Sequence, residues 1–207
     1  MVIMEKFYTV KDRKIHEIDV EKSKFIGILQ GFSKNDDLKS ILDGIRKEFP
    51  KARHYCYAYT LDGEFKYSDD GEPSGTAGKP MYAILENHNL KNVLLVIVRY
   101  FGGTLLGSGR LLRTYSTCAK ETVESSKLYE ITKKQKIRVS VSEDSYNTLI
   151  SFLNKHAFTL LNTYFNDKII LDFLTDADYM EDISSIFYGK VEIIGKPIVD
   201  YMEERND

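Results

Sequence analysis

The sequence predicts an α+β protein made of two domains, and three observations support that prediction. In the first part of the chain, alternating and amphipathic segments surround one stretch that is apolar throughout, at residues 93–98. From residue 135 the pattern restarts and reads as strand, helix, strand, strand, helix, strand. The net charge also changes, because residues 1–134 carry 22 Lys and Arg against 18 Asp and Glu (+4), whereas residues 135–207 carry 7 against 13 (−6). We therefore expect one domain at residues 1–134 and a second at residues 135–207.

The first part begins with strands. Residues 7–10 and 15–20 alternate apolar and polar side chains, and residues 23–32 form a longer strand candidate. Gly27 lies inside this longer strand, which indicates a bulge or the close approach of another segment. The chain is therefore expected to open with an antiparallel sheet.

Two helices are predicted next. Apolar residues recur at helical spacing between residues 38 and 49, with Asn35 or Asp36 as the N-cap. A shorter helix is predicted at residues 78–87, with Thr76 as a possible cap. Both helices have an apolar side that needs a sheet to cover it.

The sheet of the first part is completed by two further strands. Residues 54–61 alternate, so that the three tyrosines share one face and Cys56 and Ala58 share the other. The apolar residues 93–98 predict a central strand that is covered on both faces. The helix predicted at residues 108–126 buries one stripe and leaves its other side polar.

The second part predicts a ferredoxin-like domain, with two helices on a four-stranded sheet. Residues 129–134 are the expected linker. The predicted strands and helices are strand 136–141, helix 143–156, strands 158–166 and 168–174, helix 177–188 and strand 191–201.

Composition indicates a globular protein, since 43% of the residues are hydrophobic and 12% are aromatic. No apolar run approaches the roughly 18 residues of a membrane span, and the first residues lack the apolar region of a signal peptide. We therefore expect a cytoplasmic protein without a membrane contact. Cys56 and Cys118 predict reduced thiols, and the four widely spaced histidines do not suggest a zinc site, so neither a metal nor a cofactor is expected.

Two glycine-rich loops flank the apolar strand. Residues 68–80 form the first and residues 99–110 the second, and 7 of the 13 glycines lie between Gly71 and Gly109. Because glycine loses much backbone entropy on folding, such density predicts left-handed turns or backbone that approaches another group closely. The functional site is expected at these loops.

The second loop predicts an anion site. Gly107, Ser108 and Gly109 begin a helix, and the free N–H groups of a helix N-terminus attract anions. Arg110 and Arg113 follow in the first turns, where a cation opposes the helix dipole by about 0.3–1 kcal/mol unless an anion compensates it. That anion is either an external ligand or the internal carboxylates of Asp69, Asp70 and Glu72.

Other side chains near the loops have two interpretations each. The carboxylates of Asp69, Asp70 and Glu72 suit a divalent cation or acid–base chemistry, although Asp-Gly is also a common turn. His54 follows Lys51 and Arg53 and either reaches the same surface or packs in the core. Tyr100 and Phe101 follow Arg99 and suit base stacking or, at the end of a buried strand, the core. Cys118 lies on an apolar helix face and is expected to be structural.

Four segments resemble the IMPACT family, of the bacterial YigZ type. They are residues 22–26, 52–58, 68–80, and 98–103 continuing through 106–107. The string DDGEPSGTAG at residues 69–78 is the most specific of them. The resemblance covers about residues 20–130, and the tail is similar to the second domain usual in bacterial members. Leu105 stands where the family often has lysine and Arg110 where it often has glycine, which suggests that a cation has moved from the loop to the helix start.

The resemblance implies a first domain similar to the second domain of ribosomal protein S-five and a second domain similar to the last domain of elongation factor G. Eukaryotic members regulate translation through an activator of a stress kinase. The first hypothesis is therefore a non-catalytic, translation-associated regulatory protein that binds RNA or a ribosome-associated protein surface through its first domain.

The alternative hypothesis is an enzyme of hydrolase or phosphotransferase type. It would act on a small anionic or peptide-like substrate in a pocket formed by the two loops, with Asp69, Asp70 and Glu72 as metal or acid–base groups. Under either hypothesis, the residues expected to bind an anion or nucleic acid are His54, Ser74, Thr76, Lys79, Arg99, Tyr100, Gly102, Gly103, Gly107, Ser108, Gly109, Arg110 and Arg113.

Overall fold

The computed structural model describes residues 6–61, 63–156, 158–175 and 190–204. It divides into two compact units, Met1–Ile131 with Met202–Asp207 and Thr132–Tyr201. Each unit contains helices and antiparallel strands, so the predicted α+β class is confirmed. Within the described ranges, none of the helices is long and apolar enough to cross a membrane.

The first unit is built on a five-stranded antiparallel sheet with the order β2-β3-β6-β4-β5. A further short strand, β1, pairs with the first three residues of β7. The elements of this unit, with β7 continuing into the second, are β1 Phe7–Thr9, β2 Lys14–Val20, β3 Ser23–Gly31, α1 Leu38–Glu48, β4 His54–Leu61, β5 Glu64–Ser68, α2 Gly78–Asn87, β6 Val93–Tyr100, α3 Ser108–Glu124 and β7 Tyr129–Val141.

Helices cover both faces of this sheet. Leu94, Val96 and Val98 of β6 pack in a cluster with α1, whereas Leu95 and Ile97 pack in a second cluster with α2 and α3. All residues of β6 up to Arg99 are buried. The prediction of a central strand covered on both faces is therefore confirmed.

Gly27 marks a close approach, as the sequence predicted. A Cβ atom at this position would lie 2.0 Å from Thr122 Oγ1 of α3 and 3.3 Å from Cys118 Sγ. The missing side chain allows α3 to lie directly against β3. Burial raises the pKa of the Cys118 thiol to about 12, so this cysteine remains protonated and structural.

The helix caps differ from those predicted. Asp37 caps α1, because its side chain accepts the N–H groups of Lys39 and Ser40. Asp36 instead accepts the hydroxyl and N–H of Ser33, so the prediction of Asn35 or Asp36 as cap is wrong by one residue. Acidic and polar residues are adjacent here, and only the turn geometry decides which one reaches the free N–H groups.

Two further predictions at the edges of the second part are wrong. Residues 129–134 are not a linker, because they form the first half of the 13-residue strand β7. The single strand predicted at 191–201 is two strands, β10 Val191–Gly195 and β11 Ile198–Glu204. Pro197 lies between them, and proline cannot donate to a strand ladder.

The second unit consists of one helix on an antiparallel sheet in the part that is described. Strand order is β10-β7-β9-β8, with α4 Glu143–Lys155, β8 Thr159–Phe165 and β9 Ile169–Thr175. Leu149 and Leu153 of α4 pack on the inner residues of β7 and β9. The helix predicted at residues 177–188 lies outside the described residues.

A buried carboxylate lies on β9. Arg138 Nε and Nη2 donate to the two Asp172 carboxylate oxygens at 2.6 and 2.7 Å, and Lys136 Nζ lies 3.1 Å from Oδ2. The Asp172 side chain is fully buried. The hydrogen bonds from Arg138 lower its pKa to about 2, so Asp172 stays ionised.

We predict that acid destabilises the second unit through Asp172. Because its folded pKa of about 2 is below its ordinary value of 3.8, its stabilising contribution is complete above pH 4 and is lost as the pH falls towards 2. The contribution is about 2 kcal/mol. Unfolding of Asp172→Asn should show a smaller loss between pH 4 and pH 2 than the wild type. Asp200→Asn, which removes a charge from an exposed pair, serves as the charge control.

The close approach at Gly27 gives a second prediction. Gly27→Ala should lower the free energy of unfolding by about 1–3 kcal/mol, because the added methyl group forces α3 away from β3. Gly44→Ala is the matched control: it lies inside α1 with no atom within 4 Å of the added Cβ, and it should raise stability by about 0.5–1 kcal/mol. Equal effects in urea unfolding would contradict the packing of α3 on Gly27.

Candidate functional site

Asp69 closes the first glycine-rich loop. Its Oδ1 accepts the N–H groups of Ala77 and Gly78 at 3.0 and 2.8 Å, and its Oδ2 accepts the N–H of Gly75 at 2.8 Å. Asp69 therefore satisfies the N-terminus of α2 from outside the helix. The predicted cap is wrong, because the Thr76 hydroxyl donates to Pro73 O at 2.6 Å instead.

Asp70 attaches the same loop to the start of β4. Its carboxylate accepts the N–H of Tyr55 at 2.7 Å, and its backbone carbonyl lies 2.8 Å from His54 Nδ1. Both aspartates thus hold the loop in shape, which leaves Glu72 as the carboxylate of this loop that reaches the interior. Within the described ranges, no group of three or more His, Cys, Asp or Glu side chains is arranged to hold a metal ion.

Glu72 forms a buried ion pair with Arg99. Arg99 Nη1 lies 2.6 Å from Glu72 Oε1, and the two side chains are 6% and 3% exposed. The hydroxyl of Tyr115 donates to the same oxygen at 2.9 Å. The first loop, the end of β6 and the middle of α3 are therefore joined at one carboxylate oxygen.

Cys56 extends this buried network. Its Sγ lies 3.0 Å from Asp69 O and 3.3 Å from the Tyr115 hydroxyl. Burial raises the pKa of the Cys56 thiol and of the Tyr115 phenol far above their ordinary values. Both groups stay protonated, so Cys56 is a hydrogen-bonding core residue and not a nucleophile.

A cavity of about 300 Å³ opens between the two loops, and we call it the loop cavity. Its polar wall is formed by the start of β4, the first loop and the end of β6, and its other wall by the second loop and α3. The lining residues are Arg53, His54, Gly71, Glu72, Pro73, Arg99, Phe101, Leu105, Leu106, Gly107, Ser108 and Leu111.

The N-terminus of α3 lies at this cavity. Gly107 is the N-cap with φ 74°, and in the described chain no side chain caps the helix. A left-handed residue at this position strongly favours glycine. The first N–H groups of this 17-residue helix are consequently available to an anion.

Arg99 provides an independent sign of a missing ligand group. Its Nε is buried and lacks a hydrogen-bond partner among the residues that the structure describes. A buried donor without a partner costs about 1–3 kcal/mol, and buried donors are rarely left in that state. Because Arg99 lines the loop cavity, an acceptor on a ligand is one way to satisfy it.

Apolar side chains also line the cavity. Phe101 lies beside two guanidinium groups, with Arg53 Cζ 5.3 Å and Arg99 Cζ 5.6 Å from its ring centroid. Leu105 is 87% exposed at the rim, and Leu106 and Leu111 lie deeper. Phe101, Leu106 and Leu111 give the cavity apolar surface that an apolar ligand group can contact.

Some of the predicted site residues meet at the cavity and others do not. His54, Glu72, Arg99, Gly107 and Ser108 line it. The remaining positions lie outside the lining. Tyr100 packs with the α1 cluster and donates to Pro50 O, Gly102 packs on the Lys22 backbone, and Gly103 has φ 88°. Ser74 and Lys79 are exposed, Thr76 is buried within the first loop, and Gly109, Arg110 and Arg113 lie along α3.

The partner of the acidic loop is not the one predicted. Glu72 pairs with Arg99, whereas Arg110 Nη1 pairs with Glu21 Oε1 at 2.7 Å on the surface. Of the two alternatives left open for the anion beside Arg110, pairing with the loop carboxylates is therefore not the one found. Sequence reasoning also missed Arg53 and Tyr115 as site residues. The basic run before His54 was the available signal for Arg53, while Tyr115 looked like an ordinary core residue on the apolar stripe of α3.

Comparisons with known proteins identify relatives of the first unit. Residues 21–123 match the family model described as the Impact N-terminal domain. IMPACT family member YvyE of Bacillus subtilis is 41% identical over 122 residues, which cover 58% of this chain and 56% of that protein. IMPACT family member YigZ of Escherichia coli is 40% identical over 102 residues, which cover 47% of this chain and 50% of the relative. The chain thus spans about half the length of these relatives.

One solved structure has a similar fold over most of the chain. It is described as the crystal structure of a hypothetical protein, and it matches with a TM-score of 0.62 at 24% identity. The match covers 92% of this chain and 97% of that chain. The likeness shows a shared fold.

The buried pair gives a third prediction. Arg99→Met should lower the free energy of unfolding by about 3–5 kcal/mol, because it leaves the Glu72 carboxylate buried without a counter-charge. The double variant Glu72→Gln with Arg99→Met should recover much of that loss. Arg110→Met is the matched control, since its pair with Glu21 is exposed and contributes less than about 1 kcal/mol. Equal losses for Arg99→Met and Arg110→Met in urea unfolding would contradict a buried pair.

Proposed function

We propose, since this chain belongs to the IMPACT family, that its first unit binds a small anionic ligand with an apolar body in the loop cavity. The observation that carries the proposal is the buried Arg99 Nε without a partner, in the cavity where the uncapped N-terminus of α3 also lies. Arg99 and the N-terminus of α3 thus both line this cavity, and a guanidinium and free N–H groups both favour an anion.

The charges around the cavity support an anion. The Arg99 charge is offset by Glu72, but Arg53 adds a further cation at the rim. The N-terminus of α3 contributes about half a positive charge. Among the residues that line the cavity, the positive groups therefore outnumber the single carboxylate of Glu72.

The size and apolar wall narrow the ligand further. A volume of about 300 Å³ corresponds to the space of roughly ten waters. That space suits a ligand of about ten to fifteen non-hydrogen atoms. Leu105, Leu106 and Phe101 offer apolar contact to its body. A cavity lined by both loops fits a small molecule better than an extended nucleic-acid strand.

A second candidate function is translation-associated binding of RNA, which the family resemblance implies. The observation that favours it is the set of exposed cations near the loops, namely Arg53, Lys79, Arg110 and Arg113. These would hold phosphates and give little sequence selectivity. In that case the affinity falls steeply as the salt concentration rises.

We also propose finer fold assignments for the two parts. The strand order β10-β7-β9-β8 with antiparallel neighbours supports a ferredoxin-like second domain at residues 135–207, similar to the last domain of elongation factor G. The first domain, residues 1–134, is proposed to be similar to the second domain of ribosomal protein S-five. A fragment that begins near Lys134 and unfolds cooperatively would support this division.

The two candidate functions predict opposite results in two variants. Arg53→Ala should weaken binding of 4-methylpentanoate, an anion with an apolar body, by roughly two- to fivefold in an NMR titration. Arg110→Gln with Arg113→Gln is the control, because both arginines lie outside the cavity lining, and it should leave that affinity unchanged. If 4-methylpentanoate does not bind, but a single-stranded RNA binds in a salt-dependent way that the double variant weakens, the second candidate replaces the first.

A further inference from the structure

His54 and Glu72 both line the loop cavity, and one side-chain atom of each lies close to the other. His54 Nδ1 lies 2.8 Å from the carbonyl oxygen of Asp70. Because a carbonyl oxygen only accepts, Nδ1 carries the proton, and a neutral imidazole then presents Nε2 as an acceptor. Nε2 points towards Glu72 Oε2 at 3.8 Å, which is too long for a hydrogen bond. The two atoms are therefore not hydrogen-bonded to each other.

Glu72 divides its two oxygens between different tasks. Oε1 accepts the Arg99 guanidinium and the Tyr115 hydroxyl. Oε2 is left beside His54, and both side chains line the loop cavity. The network around Oε1 holds the carboxylate still, so Oε2 and Nε2 form a rigid pair of acceptors.

The spacing selects the group that fits between them. An atom about 2.8 Å from both acceptors sees them at an angle of roughly 85°, which two N–H bonds of one nitrogen can reach with modest bending. A primary ammonium group has three hydrogens and satisfies both acceptors, whereas a hydroxyl has one and satisfies only one of them. The carboxylate also favours the positive charge of an ammonium group.

We infer that the ligand of the loop cavity is a zwitterion, with a primary ammonium group between His54 and Glu72 as well as its anionic group. This inference rests on the proposed anion site. An apolar α-amino acid or a short apolar peptide has the required groups. Its carboxylate faces the α3 N-terminus beside Arg99, and its side chain contacts Leu105 and Leu106.

A plain anion would satisfy the site less well. It would fill the positive end but leave Glu72 Oε2 and His54 Nε2 facing each other without a donor. Acceptors that lose their water to a ligand without gaining a donor oppose binding, and a site built for a hydrogen-bonding group discriminates strongly against analogues that lack it. We therefore expect the ammonium group of the ligand to contribute more to the affinity than its anionic group does.

Four small molecules of one carbon skeleton test the inference on the full chain. Leucine carries both the amine and the carboxylate. 2-Hydroxy-4-methylpentanoate has a hydroxyl in place of the amine, and 4-methylpentanoate keeps the carboxylate but has neither amine nor hydroxyl. 3-Methylbutylamine keeps the amine and lacks the carboxylate. Leucine should bind about tenfold or more tightly than each of the other three in NMR titrations. A dipeptide of two leucines distinguishes a free amino acid from a peptide terminus.

The outcomes separate this inference from the proposed function. If 4-methylpentanoate or the hydroxy acid binds as tightly as leucine, the ammonium site is overturned while the anion site stands. If none of the four binds at millimolar concentration, both are overturned. A clear preference for leucine supports both.

A matched pair of histidine variants tests whether the preference for leucine depends on His54. His54→Ala should remove most of the preference for leucine over 4-methylpentanoate. His88→Ala is the control: His88 Nδ1 also lies 2.8 Å from a backbone carbonyl, that of Ile84, but at the end of α2 and outside the cavity lining. A preference that survives His54→Ala would overturn the assignment, and thermal melts of both variants check that the fold is kept.

Discussion

The buried pair of Glu72 and Arg99 determines how the two glycine-rich loops are arranged. Arg99 follows six apolar residues of a strand that is covered on both faces, and a charge at such a position is costly without a counter-charge. Glu72 supplies that charge from the first loop, 27 residues away in sequence. The first loop must therefore fold inward, over the end of the central strand. Asp69 and Asp70 then fasten the loop to α2 and β4, so that the buried Glu72 carboxylate stays in position.

The same pair leaves some hydrogen-bond donor and acceptor positions unsatisfied, and both of its residues line the loop cavity. A guanidinium has five donors and a carboxylate about four acceptor positions, so one contact between Nη1 and Oε1 satisfies only part of either group. Nε of Arg99 and Oε2 of Glu72 remain, and they differ in sign. A site that offers a donor at one point and an acceptor at another suits a ligand with both charges. In this way a contact that stabilises the fold also sets the polarity of the cavity.

Much of the fold could be predicted from periodicity, while the partners in the site could not. The alternation of β4 and the apolar run of β6 record which faces are buried, and these patterns are local in sequence. Glu72 pairs with Arg99 and not with Arg110 because the first loop folds over the end of β6, and this tertiary arrangement is not recorded in the local sequence. Local sequence allowed Arg110 as a partner, since it opens a helix beside the glycines, yet it lies on the surface with Glu21. Residues 129–134 were likewise predicted to be a linker, because the charged residues at their end interrupt the alternating pattern that would have indicated strand β7.

The glycines of the loops separate into those that the fold requires and one that it does not. A Cβ at Gly78 would lie 2.7 Å from Ser68 N, and one at Gly102 would lie 2.1 Å from Lys22 C, so close backbone contact explains both. Gly107 needs its left-handed conformation. Gly109 has neither reason, because the nearest atom to its added Cβ is Arg113 Nη1 at 3.9 Å. A glycine inside a helix costs up to about 1 kcal/mol relative to alanine. Packing and backbone geometry therefore do not require a glycine at position 109, in contrast to the other glycines of the two loops.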